Sequence, residues 1–315
     1  MSTDTPAAQA TGTLKGYHLS HLEYLEAESM HIIREAVAEG QNPVMLFSVG
    51  KDSGVMLELA RRAFYPEPVP FPLLQIDCCW DFQAMYELRE ELTKKYDLDM
   101  RVYSSAAAKD PATDPFALGS QAFTDMTLTS ALREGLDEGG YDVIFGGGRR
   151  DEERSRAKER IFSVRDQHHQ WEPRKQRPEL WNLYNVKLPH THSVRVFPLS
   201  NWTELDIWMY TKWRNVPLVP IYFAAKRPVV ERDGQLIMVD DDRMKFLPGE
   251  EPVEKMVRFR TLGAYPFTAA NESNATTIND IILELLTTQR SERSGRLIDT
   301  EQEAAMEMRK REGYF

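Results

Sequence analysis

The stretch Pro43–Phe64, PVMLFSVGKDSGVMLELARRAF, constrains the fold more than any other part of the chain. Val44 to Phe47 form a short apolar run, which reads as a buried strand. Val55, Met56, Leu59 and Ala60 then recur at helical spacing, in a helix expected to end before Pro66. Between them lies Ser48-Val-Gly-Lys-Asp-Ser53. A strand that turns tightly into a helix presents backbone N–H groups and the positive end of the helix dipole to an anion. Gly50 allows the turn, Ser48 and Ser53 add hydroxyls, and Lys51 adds a compact positive charge. Val49 stands where a second glycine is typical, so the turn is expected to use backbone angles that a β-branched residue accepts. A plain tight connection with an exposed lysine is the simpler alternative, and the flanking strand and helix weigh against it. The loop is not the usual NTPase form G-x-x-x-x-G-K-[ST], because Asp52 follows the lysine and no glycine lies five residues before Gly50.

Around this unit the pattern alternates. An amphipathic helix is expected over 21–39, a strand over 71–76, a helix over about 82–96, another over about 121–138, and a strand at Tyr141–Phe145 leading into three glycines. Val194–Phe197 reads as a further strand, and a helix capped at Asn201 or Thr203 follows. Strands that are apolar on both faces and alternate with helices imply a mostly parallel sheet covered on both sides, an α/β fold. We divide the 315 residues into a tail expected to be disordered (1–17), an α/β domain built around the anion-binding loop (18–215) and a mixed C-terminal extension, a candidate for contact with a partner subunit (216–315). The extension carries a hairpin signal at Asp233-Gly234 and a long polar amphipathic tail.

The formal net charge of −10 argues against nucleic acid or an anionic membrane as the main partner. No apolar stretch approaches the roughly 20 residues that span a bilayer, and no secretory signal is visible, so a cytoplasmic location is expected. The two cysteines, Cys78 and Cys79, are adjacent, which disfavours a bridge between them, and no metal-ligand spacing is present. Residues 149–187 depart from the acidic average, with 11 basic and 7 acidic side chains. Arg149 and Arg150 follow FGGG at the carboxyl end of an expected strand, where ligands collect in open α/β sheets, and guanidinium forks suit tetrahedral oxyanions. Arg154, Arg156, Lys158 and Arg160 come next; the last three read first as a solvated charged face. Asp77 ends a strand and either contacts a ligand gathered at that strand end or caps the following helix. Trp171, Trp181 and Tyr184 read as packing anchors, and Arg258 and Arg260 as anion contacts or ion-pair partners.

The motif S-x-G-K-D-S after a first strand resembles the PP-loop of the ATP pyrophosphatases. Longer stretches resemble the small catalytic subunit of bacterial ATP sulfurylase: HLEYLEAESMHIIREA, LARRAFYPEPVPFPLLQID, FGGGRRDEERSRAKERIFSVRD, QRPELWNLYN, RVFPLSNWTELDIW, VRFRTLG and the terminal KREGYF. That resemblance implies an adenine nucleotide α-hydrolase-like fold and the reaction of ATP with sulfate to give adenylyl sulfate and pyrophosphate. It implies a GTPase large subunit as partner, with ATP and Mg²⁺ as ligands. It places Lys51, Arg149 and Arg150 in catalysis, and Ser48, Gly50, Lys51, Asp52, Ser53, Asp77 and Gly147 around the nucleotide, with no protein-held metal assigned. The chain departs from the family pattern at Cys78-Cys79, at Phe123 and Leu128 where a His and a Lys are usual, at VKLPHTHS, and at AYPFTAANES. The cysteines raise a second reading, a PP-loop enzyme that adenylates another acceptor for sulfur transfer with Cys78 or Cys79 as a reactive thiolate. A third is a nucleotide-binding regulator without turnover.

Overall fold

The structure is a computed structural model that describes residues 19–287, apart from 153–155, 157, 185–188 and 190. The expected N-terminal tail and most of the polar C-terminal tail lie outside the described residues. Helix α1 (His21–Glu39) begins at a capping box in which Ser20 Oγ accepts from the Glu23 N–H and Glu23 Oε2 accepts from the Ser20 N–H. Strand β1 (Pro43–Leu46) leads into α2 (Lys51–Phe64), then β2 (Leu73–Ile76), α3 (Gln83–Tyr96) and β3 (Met100–Tyr103). Short helices α4 (Ala106–Lys109), α5 (Pro115–Leu118) and α6 (Ser120–Thr124) follow. A π-helical turn (Asp125–Thr129) then joins α6 to α7 (Ser130–Gly139). The continuous helix expected over 121–138 is therefore interrupted by a wider turn. Next come β4 (Val143–Phe145), β5 (Phe162–Arg165), β6 (Ser193–Val196) and α8 (Glu204–Arg214).

The sheet order is β3-β2-β1-β4-β6-β5, parallel throughout except for β5, which pairs antiparallel with β6. Strand alternation sends successive side chains to opposite faces. Met45, Leu73, Val143 and Phe145 point to the side of α1, α2 and α3, whereas Val44, Leu74 and Ile144 meet Leu132 and Leu136 of α7. Both faces are thus covered by helices, the reason the strands read as continuous apolar runs. β3 and β5, at the two edges, escaped the sequence reading because MRVY and FSVR mix apolar with polar residues. The exposed edge of β5 is protected by side chains: Phe162 and Val164 donate backbone N–H groups to Glu179 Oε1 and Gln176 Oε1 at 2.7 and 2.8 Å.

Beyond α8, strands β7 (Ala225–Arg232), β8 (Gln235–Met238), β9 (Val253–Arg258) and β10 (Ala269–Glu272) close an antiparallel barrel in the order β10-β8-β7-β9. β7 and β8 are joined at Asp233-Gly234, both with positive φ (50° and 74°), the left-handed pair that a two-residue hairpin turn demands. Helix α9 (Ile278–Thr287) ends the described chain. One apolar cluster runs from Met45 and Phe145 of the sheet through Trp208 and Tyr222 to Val229, Ile237 and Val257 of the barrel. Arg258 and Arg260 are ion-pair partners, bonded to Glu284 and Glu204 at 2.8 and 2.7 Å.

Candidate active site

Strand order reverses between β1 and β4, and at the carboxyl ends of those strands lies a cavity of about 320 Å³. The β1 end supplies Ser48, the start of α2 supplies Asp52 and Ser53, and the β4 end supplies Gly146, Gly147 and Gly148. Leu74, Ile76, Met85, Leu128 and Leu132 form an apolar wall, and Leu262 to Ala264 with Phe267 and Thr268 close the cavity from the C-terminal part. The β1 and β4 ends thus bring polar groups to the loop side of the cavity, opposite a wall that is mostly apolar.

The loop's backbone differs from expectation at Val49, which has φ +58°. A β-branched residue in the left-handed region costs about 1–2 kcal/mol. Val49 is also buried in the main core, which offsets that strain by about 1.5–3 kcal/mol. Gly50 is the N-cap of α2 and provides no side-chain cap, so the helix start is left to other donors and acceptors. The Lys51 N–H donates to Tyr222 Oη at 2.9 Å, and Ser53 Oγ donates to the Gly50 carbonyl at 2.9 Å. Tyr222, from a turn that precedes the barrel, was not foreseen; its only sequence signal is a Pro-Ile-Tyr turn far along the chain.

Asp52 sits between two cations. Lys51 Nζ lies 3.0 Å from its Oδ2 and Arg149 Nε 2.7 Å from its Oδ1, with both cations almost fully buried. Burial alone would raise the Asp52 carboxyl, but Arg149 and Lys51 outweigh it and hold the group below the ordinary carboxylate value. Glu152 is near enough for its charge to act on Asp52 and also lines the cavity. Gly147 packs closely against this carboxylate, since an added Cβ would stand 3.3 Å from Asp52 Cβ and would press Asp52 aside by a few tenths of an ångström.

The remaining expected residues are placed as follows. Arg149 is behind Asp52 rather than in the cavity lining, and Arg150 Nη1 donates to Asn201 Oδ1 at 2.6 Å. Asp77 Oδ1 accepts from the Cys79 N–H at 2.7 Å and from Tyr86 Oη at 2.9 Å, and does not cap α3, whose N-cap is Phe82. Among the described residues no cluster of three or more His, Cys, Asp or Glu side chains could hold a metal. Arg156, read from sequence as solvated, is 7% exposed and lines the cavity, whereas Lys158 and Arg160 are exposed. Trp171 and Tyr184 do pack, Tyr184 stacking on Phe162 at 4.4 Å, but Trp181 is 85% exposed.

Several departures from the family pattern meet in one place. Cys78, Phe123 and Ala264 form an apolar cluster joined by Trp80, Leu128 and Phe267. Beneath it, Asp81 lines the cavity and accepts from Cys78 Sγ at 3.6 Å and from Gln75 Nε2 at 3.2 Å. Burial, reinforced by the Asp77 charge, pushes the Asp81 carboxyl up to about 7. Burial and the Asp81 charge push the Cys78 thiol well above its ordinary value, and burial with Asp77 raises Cys79. Neither cysteine is set up as a thiolate.

A parallel sheet with this switch point, a S-x-G-K-D-S loop and three glycines facing it define a nucleotide-binding protein of the PP-loop class. Residues 42–270 match the profile of the phosphoadenosine phosphosulfate reductase domain. An FMN adenylyltransferase from Candida glabrata, solved with FAD and inorganic pyrophosphate, shares the fold at a TM-score of 0.50 and 14% identity, covering 93% of this chain and 85% of that one. Proteins named sulfate adenylyltransferase subunit 2 from Saccharophagus degradans and Geotalea daltonii are 58% and 57% identical, covering 96% and 94% of this chain and 100% and 99% of theirs. The chain belongs to the phosphoadenosine phosphosulfate reductase domain family and, within it, to the sulfate adenylyltransferase subunit 2 family.

Proposed function

We propose that the protein is a sulfate adenylyltransferase of sulfate assimilation, joining ATP and sulfate to give adenylyl sulfate and pyrophosphate. One observation carries this reading: a chain matched over 96% of its length by a protein of that name places Ser48, Asp52 and Ser53 of its loop in the wall of a nucleotide-sized cavity. The adenosine would lie along Leu74, Ile76, Met85 and Leu128, with the β- and γ-phosphates at the start of α2 beside Ser48 and Ser53, and Lys51 on the far side of Asp52. Sulfate is a weak base that needs no deprotonation, so catalysis rests on alignment and charge compensation rather than on a general base. Lys51 and Arg149, both fixed by Asp52, supply fixed positive charge at the loop; Arg150 anchors the segment after β4 to Asn201. Mg²⁺ would enter with the triphosphate, whose oxygens and the ion's own waters would supply most of its ligands. Asp52 and Glu152, which line this end of the cavity and are held by Lys51, Arg149 and Arg156, would meet it through that water shell. Bound there, the ion would compensate triphosphate charge.

The name subunit 2 of the relatives supports assembly with a second subunit. Forming a phosphosulfate anhydride from ATP is uphill, so a GTPase as that subunit would supply the coupling. The sulfur-transfer alternative loses support from Cys78, which is fully buried with its thiol committed to Asp81. The test is pyrophosphate release by the assembled complex. Lys51→Ala is expected to cut sulfate-dependent release by about 100-fold or more with the circular dichroism spectrum unchanged. Retained turnover in that variant removes the assigned role of the loop.

A further inference from the structure

Arg156 is a cation in the cavity wall that the loop does not use. Its side chain is 91% buried, by the 9% exposure of its atoms, and its Nε lies 3.1 Å from Glu152 Oε2. Its Nη1 is buried with no hydrogen-bond partner among the described residues. A Cβ at Gly148 would fall 2.2 Å from that Nη1 and 3.1 Å from the Phe197 ring, so the third glycine of the FGGG run makes the space the guanidinium occupies. Among the described residues that line the cavity, Arg156 is the one basic side chain, in a wall that also carries Asp52, Asp81 and Glu152. A guanidinium buried with an unmet N–H is costly unless an acceptor arrives, and its fork of donors matches a tetrahedral oxyanion. Arg149 and Arg150 are turned elsewhere, to Asp52 and Asn201.

We propose that Arg156 is the cavity's ligand for the acceptor dianion, with Gly148 making room for it and Glu152 orienting it. The proposal rests on the sulfate-adenylylation reading and adds to it a residue that determines acceptor affinity. In the step itself one sulfate oxygen forms a bond to the α-phosphorus while the bond from that phosphorus to the bridging oxygen breaks. The electron pair of that bond leaves with pyrophosphate. No proton need move, and the work left to Arg156 is to hold one anion beside another.

The experiment measures initial rates of pyrophosphate release by the full chain assembled with its second subunit, varying sulfate at saturating ATP and then the reverse. Nucleotide affinity is measured separately by calorimetry with α,β-methylene ATP. Arg156→Ala is expected to raise the KM for sulfate about 30-fold, with the Kd for the analogue changed by less than about threefold. Arg156→Lys should recover part of that loss, since it restores charge without the fork. Gly148→Ala keeps the arginine but displaces it, and should shift the sulfate KM in the same direction; it and the lysine variant decide the matter if Arg156→Ala does not fold. Unchanged sulfate KM, or a loss confined to the nucleotide, overturns the proposal. A wild-type complex that binds the analogue yet releases no pyrophosphate with sulfate removes the activity reading and the proposal with it, and that outcome is visible before any variant is made.

Discussion

Asp81 stands in the cavity wall with Cys78 and Gln75 donating to it and Asp77 nearby, and carries a proton to about pH 7. Its folded-state value is raised above the unfolded one, so the folded protein holds the proton more tightly. The stability this gives is complete below pH ~4 and is lost as pH rises through about 7, a span worth roughly 2–4 kcal/mol for so buried a carboxyl. Asp81→Asn lacks this titration, so its urea midpoint should fall less than that of the wild type between pH 5 and pH 8. Parallel pH profiles for the two proteins would show that Asp81 does not titrate in that window. Single residues of this kind were poorly legible. Lys51 and Ser48 announce themselves because the chemistry of the loop is local, within six consecutive residues. Arg156 did not, because the run from Asp151 to Arg160 looks the same whether it faces water or a cavity, and only Gly148 and Phe197 reveal which. Asp81 was hidden for a similar reason: its protonation depends on burial and on Asp77, neither of which spacing shows.

At the scale of elements, legibility followed how completely an element is buried. α1 is legible to the residue because apolar positions repeat along its length; the capping box that opens it is a finding of the structure. β1, β2 and β4 were legible because both faces are buried, whereas the edge strands β3 and β5 and the barrel strands β9 and β10 were not. The π-helical turn between α6 and α7 has no sequence signature, yet Thr124 and Leu128 at that turn line the cavity. α8 shows how local chemistry ties elements together. Thr203 Oγ1 accepts from the Asp206 N–H at 3.1 Å, the Thr203 N–H donates to Asp206 Oδ2 at 2.9 Å, and His21 Nε2 of α1 is 2.8 Å from Asp206 Oδ1. Thr203→Ala should therefore cost about 1 kcal/mol, read as a lower urea midpoint at unchanged m-value, with pyrophosphate release per folded molecule unaltered. A wild-type midpoint would mean that Asp206 and His21 hold the start of α8 without the threonine.

The whole molecule places its chemistry where two parts of the chain meet. The sheet supplies the loop and the glycines, and the segment between β9 and β10 supplies Leu262–Ala264, Phe267 and Thr268 to close the cavity. Tyr222 ties the Lys51 amide to the approach to the barrel, so the phosphate end is built by both parts as well. No helix among the described residues is long and apolar enough to cross a membrane. The sequence motif located one wall of this cavity, but not the closing segment, since contacts between distant segments leave no periodic trace. Which phosphorus atom of ATP is attacked decides the chemistry, and phosphorus NMR of the products formed from ATP and sulfate by the assembled complex reads that directly. Adenylyl sulfate and inorganic pyrophosphate, appearing in equal amounts and only when sulfate is present, are the predicted result; ADP and orthophosphate formed from that ATP in place of adenylyl sulfate would contradict it.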